Sequence, residues 1–123
     1  MTPIAAILLC CSAGDRDIAS AIAAEATRQS VPVELALAIG CAESGLRKSS
    51  NPMGVRDCYV SNNNGRFDVP ACIVIGVVSL RSRLQGCGGE RCALQNYNGS
   101  RAKVAYAAKV LKLARFVRQK VKR

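Results

Sequence analysis

Pro32-Val33-Glu34-Leu35-Ala36-Leu37-Ala38-Ile39-Gly40-Cys41-Ala42-Glu43-Ser44-Gly45 is apolar almost throughout. Proline fits the first turn of a helix, where its missing N–H would go unpaired in any case. Gly45 supplies a natural stop. Between these limits Leu35, Ala36, Leu37, Ala38, Ile39 and Cys41 fall on nearly every face of the cylinder. A helix that is apolar all round is one that a domain buries at its centre. The chain around it has 123 residues, half of them apolar. That suffices for one domain with a real core and argues against disorder.

Outward from this helix, residues 15–29 set Ile18, Ala19, Ile22, Ala23 and Ala26 at helical spacing, with Asp15 and Asp17 at the end where the helix dipole favours negative charge. Residues 45–69 form a long polar loop containing Asn51-Pro52, Met53-Gly54 and Asn62-Asn63-Asn64-Gly65. Loops of this length inside small domains are usually functional. The Asn-Gly step also fits a short β-hairpin with Tyr59-Val60 and Arg66-Phe67 as its arms. Further helices are expected over residues 70–84, 93–97 and 101–121, with Asn98-Gly99-Ser100 as a turn before the last. The expected fold is mainly α, a single small domain over residues 15–123. Residues 1–14 hold the apolar run 4–11, which reads in two ways. It is either the core of a signal peptide, with Cys11-Ser12-Ala13 as cleavage context, or a terminus packed on the domain. Nothing approaches the ~20 apolar residues of a membrane span.

The formal net charge of +10 sits at one end. Residues 101–123 contain nine bases and no acid, whereas the first 100 residues hold nine bases and eight acids. A nearly neutral body therefore carries a basic final helix, suited to an anionic partner such as a cell-wall polymer. Nucleic acid is disfavoured, because the aromatics available to stack on bases are only Tyr59, Tyr97, Tyr106, Phe67 and Phe116. A solvated outer helix face explains the same charge without any partner.

Histidine is absent, which removes Ser–His and Cys–His nucleophile pairs and His-ligated metal sites. No metal or cofactor is expected. None of the seven cysteines shows Cys-x-x-Cys spacing, so a zinc ribbon or a thioredoxin-like motif is poorly supported. Cys87 and Cys92 flank Gly88-Gly89-Glu90-Arg91 and fit a loop staple, while Cys58 and Cys72 bracket the Asn-rich loop. With Cys10 and Cys11 set aside, these two pairs leave Cys41 as a buried thiol.

Glu43 stands out on physical grounds. It lies at the C-terminal end of the most apolar helix, next to glycine and a polar loop. Partial desolvation and the negative end of the helix dipole both favour its protonated form. A proton-bearing carboxyl at a cleft edge is what cleavage of a glycosidic bond needs from a general acid. The same spacing also fits a solvated Glu43 paired with Arg47 at i+4.

The ordered set of segments resembles a known family, the lytic transglycosylases of the soluble (SLT) type. Residues 32–45 look like the family's apolar helix ending in Glu-Ser. Ala93-Leu94-Gln95-Asn96-Tyr97-Asn98-Gly99 resembles its Ala-Tyr-Asn-Ala-Gly segment. Ala71-Cys72-Ile73-Val74-Ile75-Gly76-Val77-Val78-Ser79-Leu80 resembles its Asn-Ile-x-x-Gly-x-x-Tyr-Leu stretch, and Tyr106-Ala107-Ala108-Lys109-Val110-Leu111 its final helix. The likeness covers roughly residues 18–115. One departure is the missing Gly-Leu-Met-Gln. The nearest segment, Asn51-Pro52-Met53-Gly54-Val55, also resembles the Asn-Leu-Phe-Gly-Ile of bacterial glucosaminidases.

The resemblance implies an α+β lysozyme-like fold and a monomer acting on peptidoglycan glycan strands in the periplasm, outside the cell or on a phage. Glu43 is then the single acid and base. Ser44, Met53, Tyr97 and Asn98 border the substrate, Tyr97 lies near the catalytic carboxyl, and Asn62 to Asn64 supply polar contacts from a loop rebuilt around a Cys58–Cys72 bridge. A hydrolase of the goose-type lysozyme or glucosaminidase kind would need a second carboxylate, for which Asp57 and Asp68 are the candidates. Glu90 reads as a surface charge. A rival from another class is a non-catalytic wall-binding module on the same fold.

Overall fold

The computed structural model describes residues 1–48, 51–55, 58, 68–98 and 103–122. Among these it contains helices α1 (Pro3–Cys10), α2 (Arg16–Arg28), α3 (Val33–Ser44), α4 (Val69–Gly86), α5 (Glu90–Asn98) and α6 (Lys103–Val121), and no strand. The proposed hairpin arms lie outside the described residues. The chain is mainly helical and forms a single small domain, as its periodicity predicts.

Three helix starts have a side-chain cap as their chemical cause. The Thr2 hydroxyl accepts the Ala5 N–H at 3.1 Å and Pro3 opens α1. Asp15 accepts the N–H groups of Asp17 and Ile18 at 2.8 and 3.1 Å, starting α2. Asp68 accepts the Ala71 N–H at 3.1 Å, so α4 begins at Val69 rather than Pro70. Each cap satisfies backbone donors that a helix N-terminus leaves unpaired. Helix α5 starts earlier than the expected Ala93, with Glu90 at its favourable end.

Helix α3 is the centre of the packing. Leu35, Ala36, Leu37, Ala38 and Ile39 are all fully buried. It contacts α1, α2 and α6, while α4 joins α2 to α5 and α5 packs on α6. Ile18, Ala19, Ile22 and Ala26 of α2 and Ala107, Val110, Ala114 and Val117 of α6 close the core around it.

The end of α3 is tightly specified. Gly45 is left-handed at φ +68, and its N–H bonds to Cys41 O at 2.9 Å while the Leu46 N–H reaches Gly40 O at 3.3 Å. This pair of bonds satisfies carbonyls that would otherwise be orphaned. Leu46 is also left-handed, at φ +59, and is completely buried. A Cβ on Gly40 would stand 2.7 Å from Leu46 Cδ2 and 2.9 Å from Ile22 Cδ1, so the lack of a side chain there lets Leu46 fold back on the helix.

Three disulfides link Cys11 to Cys41, Cys58 to Cys72 and Cys87 to Cys92. The last two are those expected from the loops. Cys41 is not a buried thiol, because α1 docks on α3 with Ala6 and Ile7 fully buried and so delivers Cys11 to it. The unpaired cysteine is Cys10, which is exposed. The Cys58 carbonyl also accepts the Asp68 N–H at 3.0 Å, so positions 58 and 68 meet in space. Three disulfides point to an oxidising compartment, extracellular or periplasmic. No helix among the described residues is long and apolar enough to cross a membrane. Thiol titration of the denatured, unreduced protein should find one reactive cysteine, alkylated at Cys10 by peptide mapping. Three free thiols would mean that one of these bridges does not form.

Candidate functional site

Glu43 sits on the last turn of α3, half-buried. Burial pushes its carboxyl above the usual carboxylate range, and the Tyr106 hydroxyl and the Lys109 ammonium each pull it part of the way back. Glu43 and Arg47 form no ion pair, so the solvated i+4 arrangement is not the one adopted.

A turn over residues 51–55 covers one side of the carboxyl. The Gly54 N–H bonds to Asn51 O at 3.3 Å, with Pro52 and Gly54 at the positions such turns favour. The Asn51 side chain clamps it further, its amide donating to the Val55 carbonyl and its Oδ1 accepting the Val55 N–H at 3.3 Å. Gly54 has φ +65, and a Cβ there would lie 2.5 Å from Glu43 Cδ and 3.0 Å from its Cγ. No residue with a side chain fits between this backbone and the carboxyl.

Three groups hold the turn in place. Ser44 Oγ reaches the carbonyls of Gly40 and Pro52, both at 3.1 Å, and accepts the Leu46 N–H at 3.1 Å. It thereby ties the turn to the helix end that carries Glu43. The Tyr97 hydroxyl, from α5, donates to the Met53 carbonyl at 2.5 Å. Met53 itself, expected to contact substrate, is fully buried, and a Cβ on Gly76 of α4 would come within 2.7 Å of its Cγ. What Met53 presents to the site is therefore its carbonyl, not its side chain.

Tyr106 completes the group from α6. Its hydroxyl is buried and, among the described residues, has no partner in hydrogen-bonding geometry, although it stands near enough to Glu43 to depress the carboxyl's pKa. Burial and then the Glu43 charge push both tyrosines far above the ordinary phenol range, so both keep their protons. A buried phenol without a partner beside a carboxyl is an unsatisfied donor at the site. The α6 periodicity places Tyr106 on the buried face with Val110 and Val117, and nothing in one-dimensional spacing separates it from them. Gly54 was more legible, since an Asn-Pro-x-Gly step signals a turn whose last residue tolerates positive φ.

Several of the other described carboxylates serve structure. Asp68 is engaged as the cap of α4. Asp57 and Asn62 to Asn64 lie outside the described residues, as does the side chain of Asn98, the last residue of α5. Glu90 is not a free surface charge. Arg118 of α6 grips it through two bonds of 3.0 and 2.7 Å, which fastens α5 to α6 and so steadies Tyr97. Among the described residues no three acidic, cysteine or histidine side chains are grouped to hold a metal ion.

Chemically, this is one carboxyl that retains its proton beyond the usual range, flanked by two phenols and a closely applied backbone turn. It can give up a proton and take one back at the same place.

The raised Glu43 pKa means that the native state holds this proton more tightly than the unfolded chain does. The stability it contributes is complete below the unfolded carboxyl pKa and is lost as pH rises through the native value. Glu43→Gln should therefore be more stable than wild type at about pH 7 and no more stable at about pH 3.5 in denaturant titrations. Gly54→Ala should cost about 1–2 kcal/mol for the left-handed backbone and shift Glu43 out of place, abolishing any activity that depends on it. No family model, curated protein or solved structure matches the chain.

Proposed function

We propose that the protein is a peptidoglycan lytic transglycosylase with Glu43 as its acid and base. The observation that carries this reading is the setting of Glu43, a carboxyl with raised pKa under the Gly54 turn and beside Tyr97 and Tyr106. The order of segments resembling the SLT-type family supports it from the sequence.

Protonated Glu43 donates to the oxygen between N-acetylmuramic acid and N-acetylglucosamine. The bond from that oxygen to the muramoyl C1 breaks, and the departing sugar leaves with a free hydroxyl. The carboxylate so formed takes the proton from the muramoyl C6 hydroxyl, whose oxygen bonds to C1 and closes a 1,6-anhydro ring. No water is consumed, and Glu43 ends protonated as it began. Because the nucleophile is internal to the substrate, one carboxylate suffices, whereas most glycosidases need two. Of the two carboxylates that hydrolysis could use, Asp68 is engaged in capping α4 and Asp57 lies outside the described residues. Tyr97 and Ser44 hold the turn that positions Glu43, and Tyr106 supplies a hydrogen bond to the carboxylate once it forms. The site of action is the wall, in the periplasm, outside the cell or on a phage particle.

Digestion of purified peptidoglycan with product masses tests the reading. Wild type should release 1,6-anhydro-muropeptides, and Glu43→Gln should be slower by about 10²-fold or more. Reducing-end products in place of anhydro sugars would make the enzyme a hydrolase, and equal activity of the two proteins would remove Glu43 from the chemistry.

A further inference from the structure

We infer that the Cys87–Cys92 bridge is a regulatory site of thiol–disulfide exchange, opened by a protein that carries a dithiol, and that opening it loosens the turn over Glu43. What the bridge controls rests on the reading of Glu43 as acid and base. That this bridge is the exchangeable one does not.

The three bridges differ in access. Cys58 and Cys72 are 2% and 0% exposed, and Cys11 is 7% exposed beside a half-buried Cys41. Cys87 is half-buried, and Cys92 is the one bridged cysteine that lies exposed. Cys87 also has glycine on both sides. A Cβ built on Gly86, Gly88 or Gly89 would meet nothing within 4 Å, so this stretch stands clear of the rest of the described molecule. A thiolate on a partner protein therefore has room to approach Cys87, and such access governs the rate of exchange.

The surroundings favour departure of the other sulfur. Cys92 lies in the first turn of α5, where backbone N–H groups stabilise a negative charge. The Asn96 side-chain amide stands 3.3 Å from Cys87 Sγ and 3.5 Å from Cys92 Sγ, and donates to the Cys92 carbonyl at 3.1 Å. Arg91 is exposed beside the bridge, while the charge of Glu90 is taken up by Arg118. A partner thiolate attacks Cys87 Sγ and forms a mixed disulfide, as the bond to Cys92 breaks and its electron pair stays on Cys92. The partner's second thiolate then attacks its own sulfur in that mixed disulfide. The partner departs as a disulfide, two electrons poorer, and Cys87 and Cys92 take up the two protons its thiols gave up.

The bridge is tied to the site through two helices. α4 ends at Cys87, so the bond to Cys92 joins that end to the start of α5. Further along α5, the Tyr97 hydroxyl donates to the Met53 carbonyl, while the Met53 side chain lies against Gly76 of α4. The turn over Glu43 is thus gripped by α4 and α5 at once, and the bridge fixes how these two sit together. With the bond open, α5 keeps the Arg118–Glu90 pair and its buried Ala93 and Leu94, so it stays docked while Tyr97 gains freedom.

The full chain is tested with a protein dithiol. Exposed Cys10 is first blocked with N-ethylmaleimide in the oxidised protein. Reduced thioredoxin is then added in a graded series, and newly freed thiols are alkylated with iodoacetamide and mapped by mass spectrometry. Cys87 and Cys92 should be labelled while the other two bridges stay closed. In that species the circular dichroism should be unchanged, and amide hydrogen exchange over residues 51–55 should speed up about tenfold. Peptidoglycan cleavage should fall by about the same factor, because the acid is displaced from its working position. Oxidised glutathione should restore both. A chain carrying Cys87→Ser and Cys92→Ser together should show the opened values from the start and ignore thioredoxin. Labelling of another bridge first, no labelling at all, or unchanged exchange over residues 51–55 with this bridge open overturns the inference. Absent cleavage by the oxidised wild type, with exchange still following the bridge, would instead remove the catalytic reading and leave the switch standing.

Discussion

The backbone reversal at the end of α3 is the constraint on which the site depends. Two consecutive left-handed residues, Gly45 and Leu46, turn the chain back, and the buried Leu46 side chain locks the reversal by lying on Gly40. Leu46 also offers its carbonyl to the Asp15 N–H at 2.9 Å, which joins the reversal to the start of α2. Only because the chain leaves α3 in this direction can residues 51–55 return over Glu43. A left-handed leucine is costly, and it persists where the surroundings over-determine it. Here they do, through the Gly40 notch, the Ser44 hydroxyl and the core beneath.

The rest of the site is held from a distance. The turn over Glu43 is fixed by groups from α3, α4 and α5, while the carboxyl is tuned by groups from α6. α5 is in turn fastened by the Cys87–Cys92 bridge and the Arg118–Glu90 pair. Placing a half-buried carboxyl at the negative end of a helix works against stability at neutral pH. The surrounding core of α3 offsets that cost, so an otherwise unfavourable placement is retained.

Much of this was legible in one dimension, for identifiable reasons. The all-round apolarity of residues 32–45 fixes a central helix, and the stop at Gly45 places Glu43 on its last turn. The staples at Cys58–Cys72 and Cys87–Cys92 follow from the loops they bracket. What escaped depends on how helices dock. Cys41 looked solitary because its partner, Cys11, lies in an apolar run that reads equally well as a leader. Glu90 looked solvated because Arg118 is far away in sequence. Tyr106 looked like one more residue of a buried face, since periodicity reports that a side chain points inward and not what it meets there. Met53 looked like a contact for substrate, but Gly76 opens a slot for it on α4.

The meeting of residues 58 and 68 has a separate meaning for how such a protein can change. The Asp68 N–H bonds to the Cys58 carbonyl, and the disulfide to Cys72 pins the same point to α4. Whatever occupies positions 59–67 therefore begins and ends at one anchored place beside α4. Closing a loop at a fixed point makes its cost depend only weakly on its length. The turn over Glu43 is held elsewhere, by Ser44 and Tyr97. The fold thus supports the turn over Glu43 and the anchor at positions 58 and 68 through separate contacts, the first from Ser44 and Tyr97 and the second from a backbone bond and a disulfide.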